Sequence, residues 1–123
     1  MRKLLLFEII TFIWAIVILW LSLFYQPTGL VGDGSGFFLH LGAYFLLAFL
    51  AMHAYDHKKH LWPVVIIAIS FGTAIEILQL FFGRVASVTD AIANIVGVVT
   101  AAVLIQNIEI LAERKRSAGH RKG

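Results

Sequence analysis

Four apolar stretches, each long enough to cross a lipid bilayer, constrain this chain more than any other feature of its sequence. They cover residues 4–24, 37–54, 61–82 and 88–108, with short polar segments between them. About 20 apolar residues in an α-helix span the hydrocarbon core of a membrane, which is about 30 Å thick. A segment surrounded by lipid must satisfy its own backbone hydrogen bonds, so each stretch is predicted to be a helix. The predicted fold is therefore all-α, a four-helix transmembrane bundle.

Composition supports this interpretation and leaves no residues for a separate catalytic domain. The chain is 60% hydrophobic and 14% charged, whereas an ordinary soluble domain is about 25% charged. Residues 1–111 are expected to form one transmembrane domain, and residues 112–123 a basic cytoplasmic tail that frays. The chain contains no cysteine, which excludes disulfides, thiolate metal sites and a cysteine nucleophile.

The positions of lysine and arginine predict the orientation of the bundle. Of the ten Lys and Arg residues, all but Arg84 lie at the amino end, in the second loop or in the tail. Short cytoplasmic loops of membrane proteins carry an excess of Lys and Arg, so both termini are expected in the cytoplasm and Arg84 outside. Half of these basic residues lie in the tail beside a membrane helix, which favours contact with anionic lipid over a nucleic-acid partner.

In this orientation, polar side chains from three helices are expected at one depth near the outer face. They are His40, Tyr44, Glu76, Gln79, Arg84, Asp90 and Asn94. Residues three or four positions apart share a helix face, which pairs Glu76 with Gln79 and Asp90 with Asn94. Small residues at 93, 97 and 101 form a stripe on the fourth helix that allows another helix to approach closely. We therefore expect a tight bundle with a polar pocket at its outer mouth.

Most of these residues also have a structural interpretation. Asp90 fits a capping box that begins at Ser87, Arg84 can anchor the helix at the interface, and Asn94 and Gln79 can join helices by hydrogen bonds. Glu76 is the strongest functional candidate, because an ionisable group within a span costs several kcal/mol and usually marks a binding site or pathway. Its structural alternative is a buried ion pair with Arg84.

The polar residues also form a pattern with defined spacing: His40, Tyr44, Glu76, Gln79, Arg84, Asp90, Asn94 and Gly97. This pattern resembles the VanZ-like family, which is named for a bacterial teicoplanin-resistance protein. The resemblance implies a small multi-pass protein of the bacterial cytoplasmic (inner) membrane, and the founding member lowers susceptibility to the lipoglycopeptide teicoplanin. It brings no catalytic roles. Many relatives carry Asp-Lys where this chain has Gly36 and Phe37, and a later glycine of the family is Ala101 here.

Three hypotheses for function follow. In the first, the outward pocket binds or modifies a lipid-linked envelope precursor or a lipoglycopeptide, with Arg84, Asp90, Gln79, Asn94 and Tyr44 as ligand-binding residues. In the second, the chain is an intramembrane hydrolase or transferase with Glu76 and His40 as catalytic acid and base. The third is a proton or ion pathway, for which the inner halves of the last two helices offer few polar residues.

The sequence leaves open whether the protein is an enzyme, and it predicts neither a cofactor nor a metal ion. Three histidines, at 53, 57 and 60, would share a face if the second helix continued through them, but a basic loop that touches lipid is the favoured interpretation. Membrane lipids are the expected partners. A four-helix bundle is small enough for a second copy to complete the pocket, so a monomer and a homo-oligomer both stay open.

Overall fold

The computed structural model describes residues 2–25, 35–84 and 86–122, and they form four α-helices. The helices are α1 (Arg2–Phe24), α2 (Ser35–Ala54), α3 (His57–Phe81) and α4 (Val88–Arg121). No strand occurs in the described ranges. All four helices are long and apolar enough to cross a membrane. The predicted all-α bundle of four apolar helices is confirmed.

The start of α3 differs from the prediction because a short helical turn precedes the apolar stretch. The Asp56 side chain caps this turn and accepts a hydrogen bond of 3.1 Å from the Lys58 N–H. His60 then departs from helical geometry, with φ −119° and ψ 18°. Pro63 follows within one turn, and a proline lacks the N–H that would continue the helix and crowds the carbonyl four residues before it. The kink therefore separates the turn from the apolar helix.

The end of α4 also differs, because the helix continues to Arg121. The prediction that the tail frays is wrong for this segment. Its residues include Ala, Glu, Lys and Arg, which favour helix. Lys58 Nζ lies 3.5 Å from Glu113 Oε1 and 3.9 Å from Glu109 Oε1, which ties the helix to the start of α3. At 1.5 Å per residue, α4 is about 51 Å long and exceeds the thickness of a bilayer core.

The helix α2 lies at the centre of the bundle and contacts the other three helices. Its interface with α4 is the most extensive, and α1 does not contact α4 in the described part of the chain. The small-residue stripe of α4 is buried in the α2 interface, and a Cβ on Gly97 would lie 2.4 Å from the Leu41 carbonyl oxygen. The predicted close approach is thus a contact within the chain.

The outer surface of the bundle is apolar, as expected for helices that face lipid. Many large hydrophobic side chains are exposed on all four helices, including Phe12, Trp62 and Phe81. The helix α1 is the most peripheral, and Ile18 is its one buried residue among those described. The Trp14 indole fixes it to α2 by donating a hydrogen bond of 3.0 Å to the Ala43 carbonyl.

Candidate functional site

Polar side chains from α2, α3 and α4 meet at the end of the bundle where α2 and α4 begin and α3 ends, which we call the site end. The set, which we call the polar cluster, is His40, Tyr44, Glu76, Asp90 and Asn94. His40 Nδ1 lies 3.0 Å from Asn94 Oδ1, and His40 Nε2 lies 3.5 Å from Asp90 Oδ2. One nitrogen or oxygen from each of His40, Glu76 and Asp90 falls within 4.8 Å of the other two. The cluster unites residues that are up to 54 positions apart.

Asn94 fixes the orientation of the His40 ring. The amide oxygen of Asn94 can only accept, so the Nδ1 atom carries the proton and donates it. The other ring nitrogen, Nε2, therefore points toward the Asp90 carboxylate. Asn94 is itself buried at 3% exposure, so the ring has little freedom to turn.

The start of α4 explains why the two carboxylates of the cluster face different partners. The Ser87 hydroxyl accepts a hydrogen bond of 3.4 Å from the Asp90 N–H, which is one half of the predicted capping box. In the usual second half, the Asp90 side chain would accept from the Ser87 N–H. Here that N–H donates instead to Glu76 Oε2 on α3, at 3.2 Å. The Asp90 carboxylate is therefore free to face His40.

Two polar atoms of the cluster are buried without a hydrogen-bond partner in the described part of the chain. They are Glu76 Oε1 and the Tyr44 hydroxyl, on residues that are 6% and 1% exposed. The Tyr44 ring packs against Gly72, where a Cβ would lie 2.8 Å from its Cε1 atom. A buried polar group without a partner costs about 1–3 kcal/mol, and more if it is charged. Such atoms are unusual in a well-packed protein and mark this end of the bundle.

The cluster is accessible from one side. The side chains of His40 and Asp90 are 23% and 30% exposed, whereas those of Tyr44, Glu76 and Asn94 are buried. Two shallow surface depressions lie elsewhere, along α3 and α4 near the opposite end. The predicted polar pocket at the site end stays a prediction.

Two of the residues predicted to bind ligand, Gln79 and Arg84, lie outside the polar cluster. Both donate to the main-chain carbonyl of Ser22, with Gln79 Nε2 at 2.9 Å and Arg84 through Nη1. Ser22 lies in the last turn of α1, where carbonyl groups have no partner within the helix. These two side chains therefore cap α1 and hold it to α3. The pairing of Glu76 with Arg84 that the sequence also suggested is absent from the ion pairs of the described residues.

Three groups that shape the site were not singled out as site residues by the sequence. The Ser87 N–H and the Ser22 carbonyl are main-chain groups, so no side-chain pattern indicates them. Gly72 leaves the space that the Tyr44 ring and the Asn94 amide occupy, since its Cβ would lie 3.2 Å from Asn94 Nδ2. Glycine on the face that carries Glu76 was the one available signal.

The histidines near the second loop do not form a group on one helix, because α2 ends at Ala54. His53 Nδ1 lies 2.8 Å from the Phe49 carbonyl oxygen, and its ring packs against Phe7 and Phe49 with centroid distances of 5.5 and 4.3 Å. His60 is exposed at the kink of α3. The side chain of His57 lies outside the described residues.

Comparison with known proteins returns one family. The family model of VanZ/LLP1 matches residues 2–111, which includes all of α1, α2 and α3 and most of α4. No curated protein and no solved structure matches the chain.

Proposed function

The chain belongs to the VanZ/LLP1 family, and from this premise we propose that it binds the polar headgroup of a cell-envelope amphiphile at the polar cluster. The observation that carries the proposal is the buried Glu76, whose Oε1 atom has no partner among the described residues. An ionisable group inside a membrane span is costly and is usually kept for a ligand or a reaction. In this proposal the headgroup supplies the missing partner.

The surroundings of the cluster suit a molecule that is part polar and part apolar. His40 and Asp90 leave it open on one side, and the large hydrophobic side chains on the helix surfaces offer contacts for acyl chains. A lipid-linked envelope precursor and a lipoglycopeptide both have this character. We place the site end at the outer face of a bacterial cytoplasmic membrane, because the Lys and Arg residues lie mostly toward the other end.

Acid–base chemistry on the bound headgroup is the second candidate, and the geometry of His40 favours it. The Asn94 contact holds its ring with Nε2 toward Asp90, and one nitrogen of the ring lies within 4.8 Å of a Glu76 oxygen. An oriented imidazole beside two carboxylates can take a proton from one group and return it to another. In a hydrolase or transferase, His40 and Glu76 would act as base and acid, and Asp90 would orient the imidazole.

A proton or ion pathway has less support. It requires polar groups at successive depths through the bundle. Away from the site end, Ser70, Thr100 and Gln106 are exposed on the helix surface, and the Thr100 hydroxyl donates to the Val96 carbonyl within its own helix. The buried polar side chains of the described residues, Glu76, Gln79 and Asn94, thus lie toward one end of the bundle rather than in a chain across it.

Photo-crosslinking from the first turn of α2 tests the headgroup proposal. The photoreactive analogue p-benzoylphenylalanine replaces Phe37, which is partly buried and lies less than one turn before His40. The matched control places the same group at the neighbouring Phe38, which is 72% exposed. We expect position 37 to capture an envelope amphiphile that Glu76→Gln releases, and position 38 to capture bulk phospholipid in both backgrounds.

Competition separates the two sources of such a ligand. A lipoglycopeptide added before irradiation should reduce capture of the amphiphile if both use the same site, whereas capture at a site built only for a lipid-linked precursor should be unaffected. Identical products from positions 37 and 38, insensitive to Glu76→Gln in a folded protein, would contradict headgroup binding.

A further inference from the structure

We infer that His40, Glu76 and Asp90 form a binding site for a divalent transition-metal ion. Each residue offers one ligand atom, and the three atoms lie within 4.8 Å of one another on three different helices. Atoms bound to one ion at about 2.0–2.2 Å lie about 3–4 Å apart. The three side chains therefore need to close by about an ångström to share an ion.

The orientation of His40 suits a metal ion as well as a hydrogen bond. Asn94 Oδ1 accepts the Nδ1 proton, which in a neutral imidazole leaves a lone pair on Nε2. That lone pair faces the Asp90 carboxylate at 3.5 Å, so two acceptors point at each other. Either a second proton on the imidazole or a metal ion between the two atoms resolves the conflict, and a metal ion can also bind Glu76. Metal-binding histidines commonly donate their second ring N–H to a fixed oxygen in this way.

An independent observation comes from Glu76. The residue is only 6% exposed, and its Oε1 atom is buried without a hydrogen-bond partner in the described ranges. The other oxygen is held by the Ser87 N–H, so the carboxylate cannot turn freely to find one. A buried carboxylate oxygen without a partner, beside an oriented imidazole, is suited to bind a cation.

Charge balance also favours a divalent ion. The cluster contains two carboxylates, and no Lys or Arg nitrogen of the described residues lies within 4.0 Å of either one. Arg84 donates to the Ser22 carbonyl instead. One nitrogen and two oxygen ligands, with no thiolate in the chain, suit Zn²⁺ or Mn²⁺ and leave a coordination position for an oxygen of water or of a headgroup.

Titration of the purified full-length protein with Zn²⁺ tests the proposal without any ligand or activity. The protein, in lipid nanodiscs, is first stripped with a chelator, and binding is followed by calorimetry. We expect one tight site per chain. His40→Ala and the isosteric Asp90→Asn should each weaken it at least 100-fold, and Asn94→Ala by about 10–100-fold because the ring loses its orientation.

His53→Ala and His60→Ala are the matched controls, since both histidines lie far from the cluster along the chain, and neither should change the affinity. Should the cluster variants fail to fold, X-ray absorption of the Zn²⁺-loaded wild-type protein decides. One imidazole in a shell of oxygens at about 2.0–2.2 Å supports the site. No stoichiometric binding, a shell with several imidazoles, or a site lost only in His60→Ala overturns it.

The metal-site inference and the headgroup proposal are tested independently. Zinc binding is measured on the protein alone, and photo-capture is measured on the ligand. A protein that binds zinc but captures no amphiphile retains the inference made here and loses the proposed function.

Discussion

Polar residues at the site end either belong to the polar cluster or attach α1 to the bundle. Their hydrogen bonds with main-chain groups determine which of the two they do. The Ser87 N–H donates a hydrogen bond to Glu76, which leaves the Asp90 carboxylate to face His40. The Ser22 carbonyl takes both Gln79 and Arg84, which removes them from the polar cluster. Residues of one sequence pattern therefore serve either the cluster or the attachment of α1.

Arg84→Ala tests this division. It should destabilise the protein by about 1–3 kcal/mol, because a partly buried charge-assisted hydrogen bond is lost, and it should leave the Zn²⁺ affinity within about twofold. Unfolding in a graded series of denaturing detergent measures the stability. A variant of normal stability that no longer captures the amphiphile would instead make Arg84 a ligand-binding residue.

Ser87→Ala removes the hydroxyl that caps α4 but keeps the main-chain N–H that contacts Glu76. Loss of an N-terminal cap costs about 1 kcal/mol, so we expect that decrease in the free energy of unfolding. Thr89→Ala is the control, since Thr89 is exposed two residues later, and it should change stability little. Equal effects of the two substitutions would show that the cap contributes nothing.

At the scale of helices, the contact of α2 with α4 determines whether the cluster forms, because His40 and Asn94 lie on these two elements. The small residues Ala93, Gly97 and Ala101 are buried there. Lipid gives no hydrophobic drive for helices to associate, so close packing of this kind is a main source of stability.

Gly97→Ala should therefore destabilise the protein. Its Cβ would lie 2.4 Å from the Leu41 carbonyl oxygen and 2.9 Å from the Phe45 nitrogen, and main-chain atoms cannot rotate away. We expect a loss of about 1–3 kcal/mol from overpacking. Gly42→Ala, where a Cβ meets nothing within 4 Å, should be neutral or stabilise by up to about 1 kcal/mol. Detergent-induced unfolding of both variants would reveal whether the change in the free energy of unfolding differs in sign between them.

Much of the architecture was predictable at this scale, and the limits have physical causes. Hydropathy located all four helices because lipid imposes length and apolarity on each. It did not predict that α4 extends to Arg121 or that α3 begins before its apolar stretch. Those segments lie outside the apolar stretches, so local helix propensity and capping decide whether they are helical.

The candidate site was predictable only in part. Helical spacing placed Glu76 and Gln79 on one face, yet Glu76 contacts α4 and Gln79 contacts α1. Which neighbour a side chain meets depends on the rotation and order of packed helices, and spacing along one helix does not contain that information. The predicted topology placed His40, Glu76 and Asp90 at one depth, but the distances between their side-chain atoms could not be predicted for the same reason, because the three residues lie on three helices.

For the whole molecule, the separation of charge predicts the orientation in the membrane. The chain has no cysteine, so single-cysteine variants give an unambiguous label. Thr89→Cys, at the site end, should react with an impermeant maleimide in intact cells, and Lys59→Cys, at the other end, only after permeabilisation. Both positions are exposed. The reverse pattern would place both termini outside and would contradict an outward-facing site.

The position of α4 in the chain has a consequence for synthesis. Glu76 leaves the ribosome before Ser87, Asp90 and Asn94, all of which follow it in sequence. A nascent chain with three helices inserted therefore holds a carboxylate within the membrane before its main-chain donor arrives, at a cost of several kcal/mol. Entry of the last helix relieves this cost and completes the cluster at once. A ribosome that stops after α3 would thus release a membrane intermediate that lacks the site and the interface that stabilises it.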